Sequence, residues 1–429
     1  MEQRNSDRRT ILQRNLREMT LRDYQVRISD QAVDVLKEHG LVYLSMQPRT
    51  GKTLTSILTA YKFGAKNVLF VTKKKAIDDI ILQTNELGYQ IRLFVINYEQ
   101  LHKVKDEYDL VICDEAHSIG AFPMKSNRCE ELKRICDGKK IIYLSGTPSP
   151  ESYSQLYHQF FISSFSPFKK WPTFYKWAHE FVAIKKVMIN GQSFNDYKNA
   201  DHQKVREHCG HLFISFTQEQ AGFTSFVDEE IHYVKMMDST YRLANRLKND
   251  KVVTNADGDR VVCETAVKLM QKLHQIYSGT IIIDEPERES RIIDNSKVDY
   301  IKERFKYLKK YAIFYKFKQE GLLLKTLFDM PVFEDAMEFE RASKGIFISQ
   351  IVSGREGINL QSADALIMYN IDFSATSYWQ TRARIQTRDK KSECKVHWLF
   401  SVNGIEDKIH KAVSDKKDYT IRYFKTDFL

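Results

Sequence analysis

Tyr108–His117 reads Y-D-L-V-I-C-D-E-A-H, an apolar strand that closes on two adjacent carboxylates, Asp114 and Glu115. Upstream, Leu41–Thr53 reads L-V-Y-L-S-M-Q-P-R-T-G-K-T, a second apolar strand that runs into Gly-Lys-Thr. A strand, Gly-Lys-Thr and then a helix is the pattern of a phosphate-binding loop. Backbone N–H groups and the helix N-terminus face the phosphates, Lys52 neutralises them, and the Thr53 hydroxyl meets Mg²⁺. An Asp at a strand end holds the metal, and a carboxylate directly after it orients or deprotonates an attacking water. Thr50, Gly51, Lys52, Thr53, Asp114 and Glu115 are therefore expected to form one site for ATP and Mg²⁺. Glu115 is its expected general base. Met46 and Arg49 stand where small residues or Gly are usual, so only the T-G-K-T end of the loop is regular. The two motifs together, in this order, predict an ATPase.

The surrounding pattern predicts an α/β fold. Val68–Thr72, Leu93–Ile96, Leu110–Cys113 and Ile141–Leu144 are near-continuous apolar runs. Such runs suit parallel strands buried on both faces, with helices such as Thr53–Phe63 as connections. From Tyr153 to about Phe226 aromatics and lysines interleave, which predicts a mainly helical excursion. A second α/β region is expected from Glu230–Met236, with strands at Tyr311–Tyr315, Gly345–Ile348, Ala365–Tyr369 and Val396–Phe400. The expected domains are 1–225, including the excursion at about 153–225, and 226–429.

With 429 residues, the chain is long enough for two domains with separate cores. Lys and Arg number 66 against 56 Asp and Glu, a net charge of +10 that suits a polyanionic partner. The first residues, M-E-Q-R-N-S-D-R-R-T, lack the apolar core of a secretory signal, and no run approaches the roughly 18 apolar residues of a membrane span. The six cysteines occur singly, and Cys113 sits inside an apolar strand. These features point to a reduced, cytoplasmic setting and no membrane partner. His202, His208, Cys209 and His211 cluster without a zinc-site spacing and read as a solvated helix and turn. Arg4, Arg8, Arg9, Arg14 and Arg17 read as a solvated helix face.

Further segments fall in a recognisable order. Leu21–Gln25 (L-R-D-Y-Q) precedes the phosphate loop, and Asn97–Leu101 reads N-Y-E-Q-L. Ser145–Pro148 (S-G-T-P) ends the strand after D-E-A-H. Ser296–Ile301 reads S-K-V-D-Y-I, Gly354–Leu360 G-R-E-G-I-N-L, and Gln380–Arg388 Q-T-R-A-R-I-Q-T-R. Over essentially the whole chain this set resembles the superfamily-two helicases, in their Swi/Snf-like branch, and especially the compact DEAH-box versions of phage genomes. The resemblance implies two RecA-like lobes with parallel sheets, the ATP site in the interlobe cleft and a helical excursion between them. It implies that Arg22 and Gln25 serve the nucleotide, Gln25 at the adenine edge, and that Gly357 senses it. It makes Arg384 the arginine finger, a group worth about 10³–10⁵ in rate. Arg388 stands one step beyond the usual second arginine. Thr72, Lys73, Lys74, Asn97, Tyr98, Ser353 and Asn359 would meet the nucleic-acid backbone. His117, Ser145 and Thr147 would couple that groove to the ATP site.

The expectation is an ATP- and Mg²⁺-dependent DNA helicase or translocase, on single- or double-stranded DNA; a backbone grip carries no base information and separates DNA from RNA poorly, so RNA is ranked below on the Swi/Snf-like resemblance alone. Two alternatives stand beside it. One is a duplex translocase that remodels protein–DNA complexes without unwinding. The other is an ATP-gated nucleic-acid-binding scaffold with little turnover.

Overall fold

The computed structural model describes residues 21–415, apart from 106, 190–191, 223–227, 327, 355–359, 361, 376 and 379–394. Two compact units divide the chain between Ala221 and Gly222.

In the first unit the apolar runs become strands β1 (Leu41–Met46), β2 (Asn67–Thr72), β3 (Arg92–Asn97), β4 (Leu110–Cys113) and β5 (Lys140–Leu144). Helices α1 (Asp23–His39), α2 (Lys52–Phe63), α3 (Ile77–Leu87) and α4 (Asn127–Ile135) lie before and between them. Helix α1 buries Gln25, Ile28, Ser29, Ala32, Val33 and Leu36, the 3–4 spacing of one helix face. Its first turn is closed by the Arg22 N–H donating to Gln25 Oε1 at 2.8 Å. It stops at Gly40, where φ is +77° and a Cβ would lie 2.3 Å from the Phe165 ring.

The described residues between 153 and 222 hold the expected helices together with strands that the sequence reading did not foresee. Helices α5 (Gln155–Phe161), α6 (Phe174–Phe181) and α7 (His202–Cys209) are present, packed around buried Tyr157, Phe168, Trp177 and Phe181. The same segment also holds an antiparallel hairpin, β6 (Lys185–Ile189) with β7 (Gln192–Asp196), and a strand β8 (Phe213–Phe216). The I-N-G-Q run carries the Asn-Gly pair that favours a two-residue hairpin turn. F-I-S-F is too short to be recognised alone. Strand β8 completes a parallel six-stranded sheet of order β3-β2-β4-β5-β1-β8.

The second unit begins with β9 (Asp228–Val234) and α8 (Asp238–Asp250). Two short hairpins follow, β10 (Val252–Thr254) with β11 (Arg260–Val262), and, after α9 (Ala266–Tyr277), β12 (Thr280–Ile283) with β13 (Glu289–Ile292). Then come α10 (Ser296–Arg304), β14 (Lys310–Tyr315), α11 (Lys318–Thr326), β15 (Val332–Phe333), α12 (Ala336–Arg341), β16 (Gly345–Gln350) and α13 (Ile351–Gly354). Strands β17 (Ala365–Met368) and β18 (Lys395–Ser401) and helix α14 (Glu406–Ser414) complete the unit. The sheet order is β15-β16-β14-β17-β18-β9, again parallel. Lys297 on α10 and Glu406 on α14 form a fully buried ion pair of 2.9 Å.

Candidate active site

Strand β1 turns through Gln47–Gly51 into α2. The turn closes on itself, because Thr50 donates to the Gln47 carbonyl from both its N–H (3.3 Å) and its Oγ1 (2.8 Å). Arg49 (φ 65°) and Gly51 (φ 82°) both take left-handed conformations. At Arg49 a side chain occupies a backbone well that glycine fills without penalty, at a cost of about 1–2 kcal/mol. Gly51 is fixed more firmly, since a Cβ there would come 2.2 Å from Gln25 Nε2.

Distant residues pin this loop. Gln25 Nε2 donates to the Gly51 carbonyl at 3.3 Å, and the Tyr24 hydroxyl to the Thr50 carbonyl at 3.1 Å. Arg22 Nη1 in turn donates to the Tyr24 hydroxyl at 3.0 Å. The Tyr24 ring stacks on Phe216 at the end of β8, 4.6 Å between centroids. Just beyond, the Gln218 N–H donates to Gln47 Oε1 at 2.8 Å and Gln218 Nε2 to the Pro48 carbonyl at 2.9 Å. Gly146 closes the other side, where a Cβ would lie 3.1 Å from Pro48 Cδ and 3.6 Å from Lys52 Nζ.

The carboxylates stand at the end of β4. Asp114 is tied three ways: Thr72 Oγ1 donates to its Oδ2 at 2.8 Å, the Glu115 N–H to its Oδ1 at 3.0 Å, and the Tyr98 hydroxyl to its carbonyl. Burial, then the charge of Glu115, pushes the Asp114 carboxyl up to about 6, while the Lys52 ammonium and the Thr72 bond pull it down. Glu115 adopts φ 49°, uncommon for a residue with a side chain and characteristic of functional turns. Its Oε2 lies 3.2 Å from His117 Nδ1, and the same nitrogen is 3.0 Å from Ser145 Oγ. Ser145 Oγ then accepts from the Thr147 N–H at 3.1 Å. An unbroken polar chain thus runs from Glu115 through His117 to the S-G-T-P loop.

This donor set fits Mg²⁺. Two adjacent carboxylates, one of them buried, with Lys52 as their nearby cation, form an excess of negative charge that a divalent cation relieves. Thr53 in the first turn of α2 and Asp114 are the residues that would hold it. The N-terminus of α2 and Lys52 suit a polyphosphate.

Arg22, Gln25, Thr50 and Gly51 lie together, with the Gln25 amide bonded to Arg22 and Gly51. Three residues expected at the nucleic acid are placed elsewhere. Thr72, Asn97 and Tyr98 are buried. Thr72 and Tyr98 use their hydroxyls on Asp114, and Asn97 lies under the surface at the end of β3. Their strand-end positions drew the expectation, but their side chains are buried, and Thr72 and Tyr98 hold Asp114. Lys73 is half-buried and Lys74 exposed. Gly357, Asn359, Arg384 and Arg388 lie outside the described residues, as do Arg4 to Arg17 and the side chain of Ser353. Tyr24, Gln47 and Gln218 escaped the sequence reading. Tyr24 carries a signal beside Gln25, whereas Gln218, 170 residues from Pro48, carries none.

The family described as the SNF2-related domain matches residues 52–279, just over half the chain. Among characterised proteins, the ISWI chromatin-remodeling complex ATPase of Saccharomyces cerevisiae is 18% identical over 383 residues, covering 78% of this chain and 32% of that protein. The chain thus spans about a third of the length of that relative. Among solved structures, the Sulfolobus solfataricus SWI2/SNF2 ATPase core domain is 16% identical, covers 92% of this chain and 88% of that one, and superposes with a TM-score of 0.41. The two-sheet architecture stands on the strand order and not on that likeness.

Proposed function

The chain belongs to the SNF2-related family and is an ATP-hydrolysing enzyme; from that premise we propose that it is a motor coupling hydrolysis to movement along duplex DNA. The observation that carries the reading is the polar chain Glu115–His117–Ser145–Thr147. A scaffold that only bound ATP would need a phosphate loop but no connection from the general base to a remote loop. A motor needs the base to respond to its track.

In this proposal Lys52 and the N–H groups at the start of α2 position the phosphates, and Thr72 and Tyr98 hold Asp114 in place. Glu115 takes the proton of the attacking water, with His117 setting its orientation. Bound Mg²⁺ would supply charge neutralisation at the phosphates. Arg384 is proposed as the finger. The net charge of +10 suits a phosphate-backbone track.

Strand separation is the second reading, favoured by the β6–β7 hairpin. It exposes Met188 and Phe194, 69% and 46% accessible, beside exposed Lys185 and Lys186. Apolar side chains on a basic projection are suited to wedging between bases. Triplex displacement run beside strand displacement separates the two. Triplex displacement alone supports the duplex translocase. Unwinding that Met188→Ser/Phe194→Ser removes, with triplex displacement kept, supports the second reading. Neither activity, with ATP hydrolysed on DNA, would refute movement.

A further inference from the structure

Strands β9 and β18 lie side by side at one edge of the second sheet, with Glu230 opposite His397 and His232 opposite Leu399. Period-two alternation places Glu230, His232 and His397 on one face. His232 Nε2 and His397 Nδ1 are 2.9 Å apart. The Glu230 carboxylate completes a triangle, its oxygens 3.6 Å from His232 Nε2 and 3.5 Å from His397 Nδ1. Ligand bonds of about 2.0–2.2 Å in a tetrahedron around Zn²⁺ set the ligand atoms roughly 3.3–3.5 Å from one another. The contacts of 3.6 and 3.5 Å run to Glu230 Oε1 and Oε2 respectively, so to meet that spacing the carboxylate turns one oxygen toward both nitrogens and the nitrogens part by about half an ångström.

A second shell is also present. His232 Nδ1 is 2.8 Å from the Tyr300 hydroxyl on α10. With Nδ1–H donated to that oxygen, Nε2 presents its lone pair to the triangle, as in metal-ligating histidines oriented by an outer hydrogen bond. The imidazoles are buried, at 5% and 7% accessibility, and the Phe305 ring packs against both. Glu230 is half-exposed and gives a route in from solvent. Among the described residues this is the one cluster of His, Cys, Asp or Glu with metal-ligand spacing. The sequence-adjacent set His202, His208, Cys209 and His211 is dispersed: His208 Nδ1 and Cys209 Sγ bond to helix carbonyls, and His202 stacks on Tyr153.

We propose that Glu230, His232 and His397 form a binding site for a zinc-class divalent cation, with its fourth position open to water. Two imidazoles and one carboxylate select Zn²⁺ over Mg²⁺ or Ca²⁺, which require a mainly oxygen shell. Binding at His397 Nδ1 moves the proton now shared between the two imidazoles to His397 Nε2, so that both histidines ligate as neutral imidazoles. The ion ties edge strand β9 to β18 and, through Tyr300, to α10, so it acts as a staple of the second unit. Arg304 lies 3.8 Å from Glu230 and opposes the ion electrostatically; Lys395, the other nearby cation, pairs with Asp228 at 3.2 Å.

The test uses the full chain, stripped with a chelator and titrated with Co²⁺ by visible absorption and with Zn²⁺ by calorimetry. One equivalent of Co²⁺ is expected to give the intense bands of tetrahedral coordination, bleached by Zn²⁺, and Zn²⁺ is expected to raise the melting temperature. Tyr300→Phe should weaken Zn²⁺ about 10- to 100-fold, the usual effect of losing an outer-shell partner. Glu230→Gln should weaken it at least as much, and Arg304→Ala should tighten it. Weak octahedral bands, or an affinity unchanged in Glu230→Gln and Tyr300→Phe, would overturn the proposal. Both substitutions leave the buried imidazoles in place, and an unshifted melt without metal shows that the fold survives them.

Discussion

Replacing Thr72 by Val removes one hydroxyl while keeping the shape of the side chain. The structure gives that hydroxyl a single described role, donating to Asp114 Oδ2 at 2.8 Å in a fully buried setting. A hydrogen bond to a charged acceptor contributes about 1.5–3 kcal/mol, so its loss should lower Mg²⁺-dependent turnover about 10- to 150-fold. The bond is also one of the forces that hold the Asp114 carboxyl down to about 6 against burial and the charge of Glu115, so the substitution raises it further. Protons then compete better for the carboxylate, and the defect should be larger at pH 6 than at pH 8. The assay is steady-state hydrolysis against Mg²⁺ concentration at both pH values, with DNA affinity measured separately without nucleotide. The expected result is impaired turnover, partly restored by excess Mg²⁺, with DNA affinity unchanged. Normal turnover with weakened DNA binding would refute the reasoning and return Thr72 to the nucleic-acid surface.

Three further perturbations probe separate parts of the account. Glu115→Gln should lower turnover at least about 10²-fold, the contribution of a general base, while a fluorescent ATP analogue binds as before; surviving turnover would move the base elsewhere. Lys297→Met leaves Glu406 buried without its cation and should cost about 3–5 kcal/mol in denaturant melts, with most of it regained in Lys297→Met/Glu406→Leu. A single substitution with no effect would contradict the burial of the pair. His274 is held well below the ordinary imidazole range by burial and by nearby Lys316. The unfolded chain takes up a proton near pH 6.5 that the folded chain refuses, so stability should fall as the pH drops through that value. His274→Gln should shrink the difference between melts at pH 7.5 and 5.5, and an unchanged difference would refute the assignment.

What the sequence discloses follows from how local each signal is. Strands β1, β2, β4 and β5 are continuous apolar runs because both sheet faces are covered, and β14, β16, β17 and β18 are legible for the same reason. Hairpin β10–β11, strand β13 and the two-residue edge strand β15 are short and partly exposed, so no run marks them, whereas β12 is a mostly buried, mostly apolar run of four residues, too short to be recognised alone. At the site, Gly51–Thr53 and Asp114–Glu115 act as contiguous motifs. The role of Thr72 depends on strand order: β2 lies beside β4 with Val71 opposite Cys113, which carries the next residue on each strand into contact. Gln218 reaches the phosphate loop only because β8 adds beside β1. The Glu230–His232–His397 triangle joins residues 165 apart in sequence through one strand pairing. No spacing rule could have assembled it.

The central claim is that ATP hydrolysis by this chain is coupled to a nucleic-acid track. Steady-state hydrolysis measured without nucleic acid, then with single-stranded DNA, duplex DNA and RNA, tests it most directly. The account predicts strong stimulation by duplex DNA, lost in Lys52→Ala. Equal or negligible hydrolysis under all four conditions would contradict it.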